Sequence, residues 1–200
     1  MLEVEIKVKI SDPNLIRKQF EENNGVYKIS LLHEDTYFNL PRGLRDFKKT
    51  DEALRLRKSI EFNKVNKEIV ENIAYFFTYK GKKVDTTTKS REEIEIKIED
   101  LDKTKDLLNA LGFQEIFTVK KERESYDFKF KNYNIKALVD YLPILKQHFI
   151  EVEIISDSIE NLDIYREVLF DFLSLFGIKK EESIRKSYLE LIADKFKGKV

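Results

Sequence analysis

From Leu2 to Ile10 the chain alternates strictly: Leu2, Val4, Ile6, Val8 and Ile10 are apolar, and Glu3, Glu5, Lys7 and Lys9 between them are charged. A period of two predicts a β-strand with one apolar and one charged face. The alternation returns along the chain. Arg55 and Arg57 interleave with Leu54 and Leu56, Arg91, Glu93, Glu95 and Lys97 with Ile94, Ile96 and Ile98, and Glu151 and Glu153 with Ile150, Val152 and Ile154. In "FFTYKGK", Lys80 shares a face with Thr78 while Phe77 and Tyr79 take the other. Strands are expected at about 2–10, 26–39, 52–61, 72–80, 90–98, 113–126, 130–142 and 148–155, joined mostly by connections short enough to make neighbours antiparallel.

Three helices interrupt this pattern. Asp12-Pro13 opens one that runs to about Asn24 with Leu15, Ile16 and Phe20 on one side. A second, about 101–111, stops at Gly112. A third runs from a Ser158 cap to Gly177, with Ile159, Leu162, Tyr165, Val168, Leu169, Phe172 and Phe176 at helical spacing. The two halves echo each other, since "EVEIKVKI" and "EEIEIKIE" are each followed by a helix and another strand.

These elements predict an α+β fold: a closed eight-stranded antiparallel β-barrel with covering helices, forming one domain over 1–200. One charged face on one strand reads as a wet exterior. Recurrence on strand after strand reads otherwise. If the apolar faces filled the barrel, the amphipathic helices would have nothing to cover; turned inside out, the sheet gives the helices a partner and lines a central tunnel with charge.

Composition narrows the chemistry. Of 200 residues 42% are hydrophobic and 12% aromatic, ample for a core, and the absence of Cys excludes disulfides, thiolate catalysis and Cys-ligated zinc. His33 and His148 are the only imidazoles, at no metal-ligand spacing, and are expected to be capped or at the surface. Acidic and basic residues balance at 37 each, so no net field favours nucleic acid or an anionic membrane. The opening Met-Leu-Glu-Val-Glu has no signal-peptide character, which with the lack of Cys predicts a cytoplasmic protein.

A charged tunnel needs an occupant, because like charges held close and desolvated repel one another. Lys7, Arg55, Arg57, Lys80, Lys121 and Arg123 suit phosphate oxygens, and Glu3, Glu5, Asp140, Glu151 and Glu153 offer hard oxygen ligands. Together they fit a polyanion bridged to a divalent metal, with Glu3 and Glu5 facing the metal.

At this point the chain resembles the CYTH domain, or triphosphate tunnel metalloenzyme, superfamily, which includes class IV adenylate cyclases, thiamine triphosphatases, inorganic tripolyphosphatases and fungal RNA triphosphatases. The signature E-x-E-x-K stands as Glu3-Val4-Glu5-Ile6-Lys7, followed in order by "EDTYF" at 34–38, "ALRLR" at 53–57, "TYKG" at 78–81, "REEIE" at 91–95, "VKKER" at 119–123, "LVD" at 138–140, "FIEVE" at 149–153 and "KSYLEL" at 186–191. One E-x-E-x-K arises by chance in amphipathic strands; ordered blocks along nearly the whole chain do not. The resemblance implies an eight-stranded tunnel, dependence on Mg²⁺ or Mn²⁺ and a triphosphate-containing small molecule as substrate. It assigns Glu3, Glu5, Asp140, Glu151 and Glu153 to metal and the six basic residues to phosphate, with Arg91, Glu93 and Glu95 in a partly structural motif. Lys82-Lys83 departs from the Gly-Pro-Lys of many relatives and bears on the tunnel mouth.

Hydrolysis of a triphosphate is the expected reaction, with Glu3, Glu5 and Lys7 as catalytic residues and a glutamate positioning water. An adenylate cyclase would also have to hold adenosine, and no segment is identified that must read adenine: Tyr37, Phe38, Tyr79 and Tyr126 are expected in core or wall. A non-catalytic binder of polyphosphate or single-stranded nucleic acid is the remaining alternative, though such grooves are usually net basic. Tyr188 is expected to pack, or to close one end of the tunnel with its hydroxyl. The polar stretch 61–72 reads as a long hairpin, "KKEES" at 179–183 as a solvated connection and "DKFKGKV" as a fraying tail. The stripe of the third helix either covers the barrel or makes a homodimer.

Overall fold

The computed structural model describes residues 2–156 and 160–197. Eight strands, β1 (Leu2–Ile10), β2 (Val26–Asn39), β3 (Ala53–Phe62), β4 (Ile69–Lys80), β5 (Arg91–Ile98), β6 (Gln114–Phe130), β7 (Tyr133–Leu142) and β8 (Gln147–Ser156), close into a barrel in the order β1-β5-β4-β3-β2-β6-β7-β8. Every pairing is antiparallel. Exchanging each strand with the one four later leaves this order unchanged, so the echo between the two halves is a topological symmetry. The seam between β1 and β5 is short, pairing only Leu2 with Glu92 and Glu3 with Arg91.

The barrel is inside out in the sense the alternation predicts. The main apolar core lies outside it, where Val4, Ile6 and Val8 of β1 with Ile150, Val152 and Ile154 of β8 meet α1 (Pro13–Glu22) through Ile16 and Phe20 and α4 (Leu162–Ser174) through Val168, Leu169, Phe172 and Leu173. A second cluster packs α2 (Phe47–Thr50) and α3 (Leu101–Ala110) on the outer wall of β2 and β3 through Phe47, Leu108, Phe38 and Leu56. A third seats α5 (Tyr188–Lys197) against Val119, Leu142 and Phe149. Burial at about 25 cal/mol per Å² makes these shells, not the tunnel, the main source of stability.

Local chemistry sets the element ends. The Asp12 carboxylate accepts from the backbone N–H of Asn14 and Leu15, each at 3.0 Å, and Pro13 starts α1. The expected boundary between the sixth and seventh strands moves, because Lys131 and Asn132 both take positive φ and make a two-residue turn, extending β6 to Phe130. The hairpin over 61–72 is tied down: the Lys64 ammonium donates to the Tyr126 hydroxyl at 2.9 Å and Lys67 to Glu122 at 2.7 Å. The connection at 179–183 contains one 3-10 turn, Lys180–Glu182, and the expected tail is helical through Lys197. Ser158 and Ile159, expected to open the third helix, lie outside the described residues. Among the described residues no helix is long and apolar enough to cross a membrane.

Candidate active site

Alternation points Glu3, Glu5 and Lys7 of β1 inward beside Glu151 and Glu153 of β8, with Lys7 paired to Glu151 and Glu5 to Glu153 in the ladder. Arg55 and Arg57 enter from β3, Thr78 and Lys80 from β4, Glu93 and Glu95 from β5, Lys121 and Arg123 from β6 and Asp140 from β7. They surround a cavity of about 1090 Å³. Nine of the eleven residues expected at the site line it; Lys7 and Asp140 stand behind its surface.

One side of the chamber is basic and knitted together. Asp140 accepts from Arg123 Nε at 2.6 Å and Nη2 at 2.5 Å, from Lys121 Nζ at 3.1 Å and from the Tyr188 hydroxyl at 2.8 Å. With four donors its carboxylate is occupied as an orienting group for these cations. Asp35 does the same for Arg57, at 2.6 and 2.8 Å, and lies 3.6 Å from Arg55. Arg55 also donates to Thr78 at 3.1 Å and Glu95 at 3.2 Å, and its buried Nε has no partner. Burial, with the charge of Arg123, lowers Lys121 to about 8 against the pull of Asp140 and Glu151.

The other side is crowded with carboxyls. Burial works to raise Glu3, but Lys80 and hydrogen bonds from Glu93 and Glu153 hold it well below its ordinary value. Its neighbours absorb the protons: burial, opposed by Lys80 and reinforced by Glu3, pushes Glu93 up to about 8, and burial with Glu3 pushes Glu153 well above the usual range. Glu5 is raised by burial and by Glu151, against Lys89. Lys89 bridges the two sides, bonding to Glu5 and donating to Glu151 at 2.8 Å.

Among the described residues no three acidic or imidazole side chains stand in ready-made coordination geometry. The fit to a divalent cation rests on the donor set: Glu3, Glu5 and Glu153 are hard oxygen donors whose mutual repulsion a cation would relieve without any added anion.

At the closed end, the Lys7 ammonium donates to the Lys186 carbonyl at 2.8 Å, lies 3.5 Å from Glu151 and sits 3.8 Å over the Tyr188 ring. Ile184 N–H donates to the Lys7 carbonyl at 2.7 Å, so the segment leading into α5 roofs this end. Tyr188 thus packs and also closes the tunnel with its hydroxyl. At the same end, Lys83 pairs with Asp51 at 2.5 Å and with Glu190 of α5 at 3.6 Å, while Lys82 is exposed.

Sequence reasoning missed several members. Lys89 lies in the loop before β5, yet stepping back two from Arg91 along the alternation reaches it. Asp35 and His33 share the inward face of "LLHEDTYF" with Leu31 and Tyr37. His33 is buried in the tunnel wall, a correction to its expected surface or capped position; β2 mixes polar and apolar residues on both faces, so no alternation marks which face turns inward. His148 stacks on Tyr141 outside the cavity. Of the expected wall aromatics, Phe38 and Tyr126 are buried, Tyr79 packs in the cluster around α2 and Tyr37 lines the cavity; Phe76, opposite Arg57, is an additional aromatic inside.

The chain is 40% identical over 192 residues, 96% of its length and 98% of the relative's, to a Methanocaldococcus jannaschii protein provisionally named an adenylate cyclase. The solved structure of a Pyrococcus horikoshii protein superimposes with a TM-score of 0.81 at 35% identity, covering 96% of this chain and 99% of that one. A Hippeastrum protein, provisionally named an adenylyl cyclase and described as having a dominant triphosphatase activity, shares the fold with a TM-score of 0.61 at 14% identity, over 96% of each chain. The CYTH domain model matches residues 1–188, and with a closed barrel that turns its charged strand faces inward, this chain belongs to the CYTH domain family.

Proposed function

We propose that this protein hydrolyses a triphosphate compound, inorganic tripolyphosphate or a related anion, with Mg²⁺ or Mn²⁺ as cofactor. The observation that carries the reading is the division of one enclosed chamber into a wall of oriented cations and a cluster of mutually crowded carboxyls. Arg55, Arg57, Lys121 and Arg123 bind the phosphate chain, held in place by Asp35 and Asp140 so that little reorganisation accompanies the reaction. Lys80 lies beside Glu3 and Glu93 and offers charge to a phosphate end near the carboxyls. Glu3, Glu5 and Glu153, with Glu151 behind them, would hold the divalent ion, which when bound would supply charge neutralisation to the phosphate chain. Glu5, beside Glu151 and Lys89, is the group suited to orient water and accept its proton. Lys7 fixes Glu151 from the closed end, and Asp140 supports the cations rather than the metal.

A cyclase reading draws on the cavity's size. At about 1090 Å³ it is slightly above the roughly 300–1,000 Å³ typical of small-molecule pockets, and Ile29, Leu31, Phe76 and Leu138 give part of its wall an apolar surface. There a ribose hydroxyl would be the nucleophile. The same fold serves a triphosphatase in the Hippeastrum protein, so the barrel itself does not choose.

Purified protein incubated with Mg²⁺ or Mn²⁺ and, separately, tripolyphosphate, ATP and thiamine triphosphate separates the readings. Orthophosphate from tripolyphosphate without cyclic AMP from ATP is the expected result. Cyclic AMP with pyrophosphate identifies a cyclase, and tight binding without turnover identifies a binder.

A further inference from the structure

His33 is 3% exposed on the inward face of β2, in the cavity wall. Its Nδ1 is buried without a hydrogen-bond partner. Leaving a buried polar atom bare costs on the order of 1–3 kcal/mol, so an unsatisfied imidazole in the wall of a binding chamber is unlike one that merely packs. Its ladder neighbours are Ser59 on β3 and Lys121 on β6. The charged groups facing it are Asp35 on its own strand, Arg57 on β3, and Lys121 and Arg123 on β6. Asp35 is already claimed by Arg57 through two hydrogen bonds. The imidazole therefore meets three cations and one engaged carboxylate. Burial, then Arg57, holds its protonation well below the usual range.

A phosphate anion reverses that balance. Arriving between Arg57, Lys121 and Arg123, it offsets the three cations and offers oxygen acceptors to the ring edge that lines the cavity, so that a protonated imidazole can donate to it. We propose that His33 is a further phosphate-binding group of this chamber, neutral in the free protein and protonated from solvent when the triphosphate lies against Arg57, Lys121 and Arg123, so that binding takes up a proton. This rests on the triphosphate reading of the chamber.

The chain has two histidines, so two imidazole ring signals are expected by NMR, and His33→Gln assigns them. The titration of each is followed in the free protein and with the imido analogue of tripolyphosphate plus Mg²⁺, which occupies the site without turnover, while calorimetry reports binding. The His33 midpoint is expected to rise by about one pH unit or more on binding, with His148 unmoved. Wild-type affinity is then expected to weaken with pH more steeply than that of His33→Gln, by at most about tenfold per pH unit; protons taken up by the anion itself or by Lys121 appear in both. Binding with an unchanged His33 midpoint overturns the role of His33 and leaves the triphosphate reading standing. Absence of binding overturns both.

Discussion

β1 and β5 carry nearly the same sequence pattern and occupy symmetry-related places in the barrel, yet they live in different surroundings. Val4 and Ile6 on the outer face of β1 are 0% exposed, whereas Ile94 and Ile96 on the outer face of β5 are 55% and 53% exposed. Inside, Lys7 is buried at the closed end while Lys97 is exposed. The cause lies further along the chain. After β8 comes α4, whose Leu169, Phe172 and Leu173 lie over β1; after β4, at the equivalent point, residues 81–90 form a loop that sends Lys89 into the chamber instead. Alternation thus decides which face of a strand is charged, and the segment after its partner half decides what covers the other face.

The largest expected effect follows from that difference. Ile6→Ala should cost about 2–5 kcal/mol, the usual range for a fully packed aliphatic residue, while Ile96→Ala should cost well under about 1 kcal/mol. Urea midpoints at unchanged slope measure both. Equal losses would mean that the outer face of β5 is covered in solution.

A second contrast concerns charge. In the metal-free protein Glu93 is raised from 4.5 to about 8, so the folded state holds a proton that the unfolded chain has released across that window. Its contribution is present below about pH 4.5 and declines as pH rises to 8. Glu93→Gln keeps the neutral form throughout. The variant's melting temperature should accordingly gain on wild type steadily between those limits, and added Mg²⁺ or Mn²⁺ should narrow the gap by stabilising wild type. A gap independent of pH would show that Glu93 does not carry the proton.

Glu3→Gln removes the carboxylate around which Glu93 and Glu153 gather. It should abolish the thermal stabilisation by divalent cation while changing the metal-free melting temperature little, because losing the ion pair with Lys80 is offset by freeing Glu93 and Glu153 from the charge that raises them. A large metal-free loss would instead make Glu3 a structural ion-pair partner of Lys80, 3.5 Å away.

How much of this was legible follows from the same physics. Eight strands and the inward turn of their charges were readable because period-two alternation and helix amphipathicity are local properties that only one packing satisfies. α2 was not, since Phe47–Thr50 is too short for any periodicity. The β6–β7 turn was misplaced because Lys131 rather than glycine takes the left-handed conformation there. In the site, residues on regular strands were found and those fixed by tertiary contact were not. Lys89 comes from a loop, and nothing local reveals that Asp140 accepts from Arg123, Lys121 and Tyr188 and stands behind the cavity surface.

The smallest expected effect returns to the open face of β5. Ile96→Lys places a charge where the neighbouring side chains are Phe77 across the ladder and Ile94 along the strand, at a position already half in water. A lysine there can lay its methylenes along the sheet and keep its ammonium solvated. The expected change is within about 0.5 kcal/mol, against the unfolding that the same substitution at Ile6 should produce by driving an unpaired charge under α4. Sedimentation before and after the change completes the comparison. An unchanged mass leaves β5 as the uncovered counterpart of β1, and a halved one would show that a second copy of the chain covers β5 as α4 covers β1.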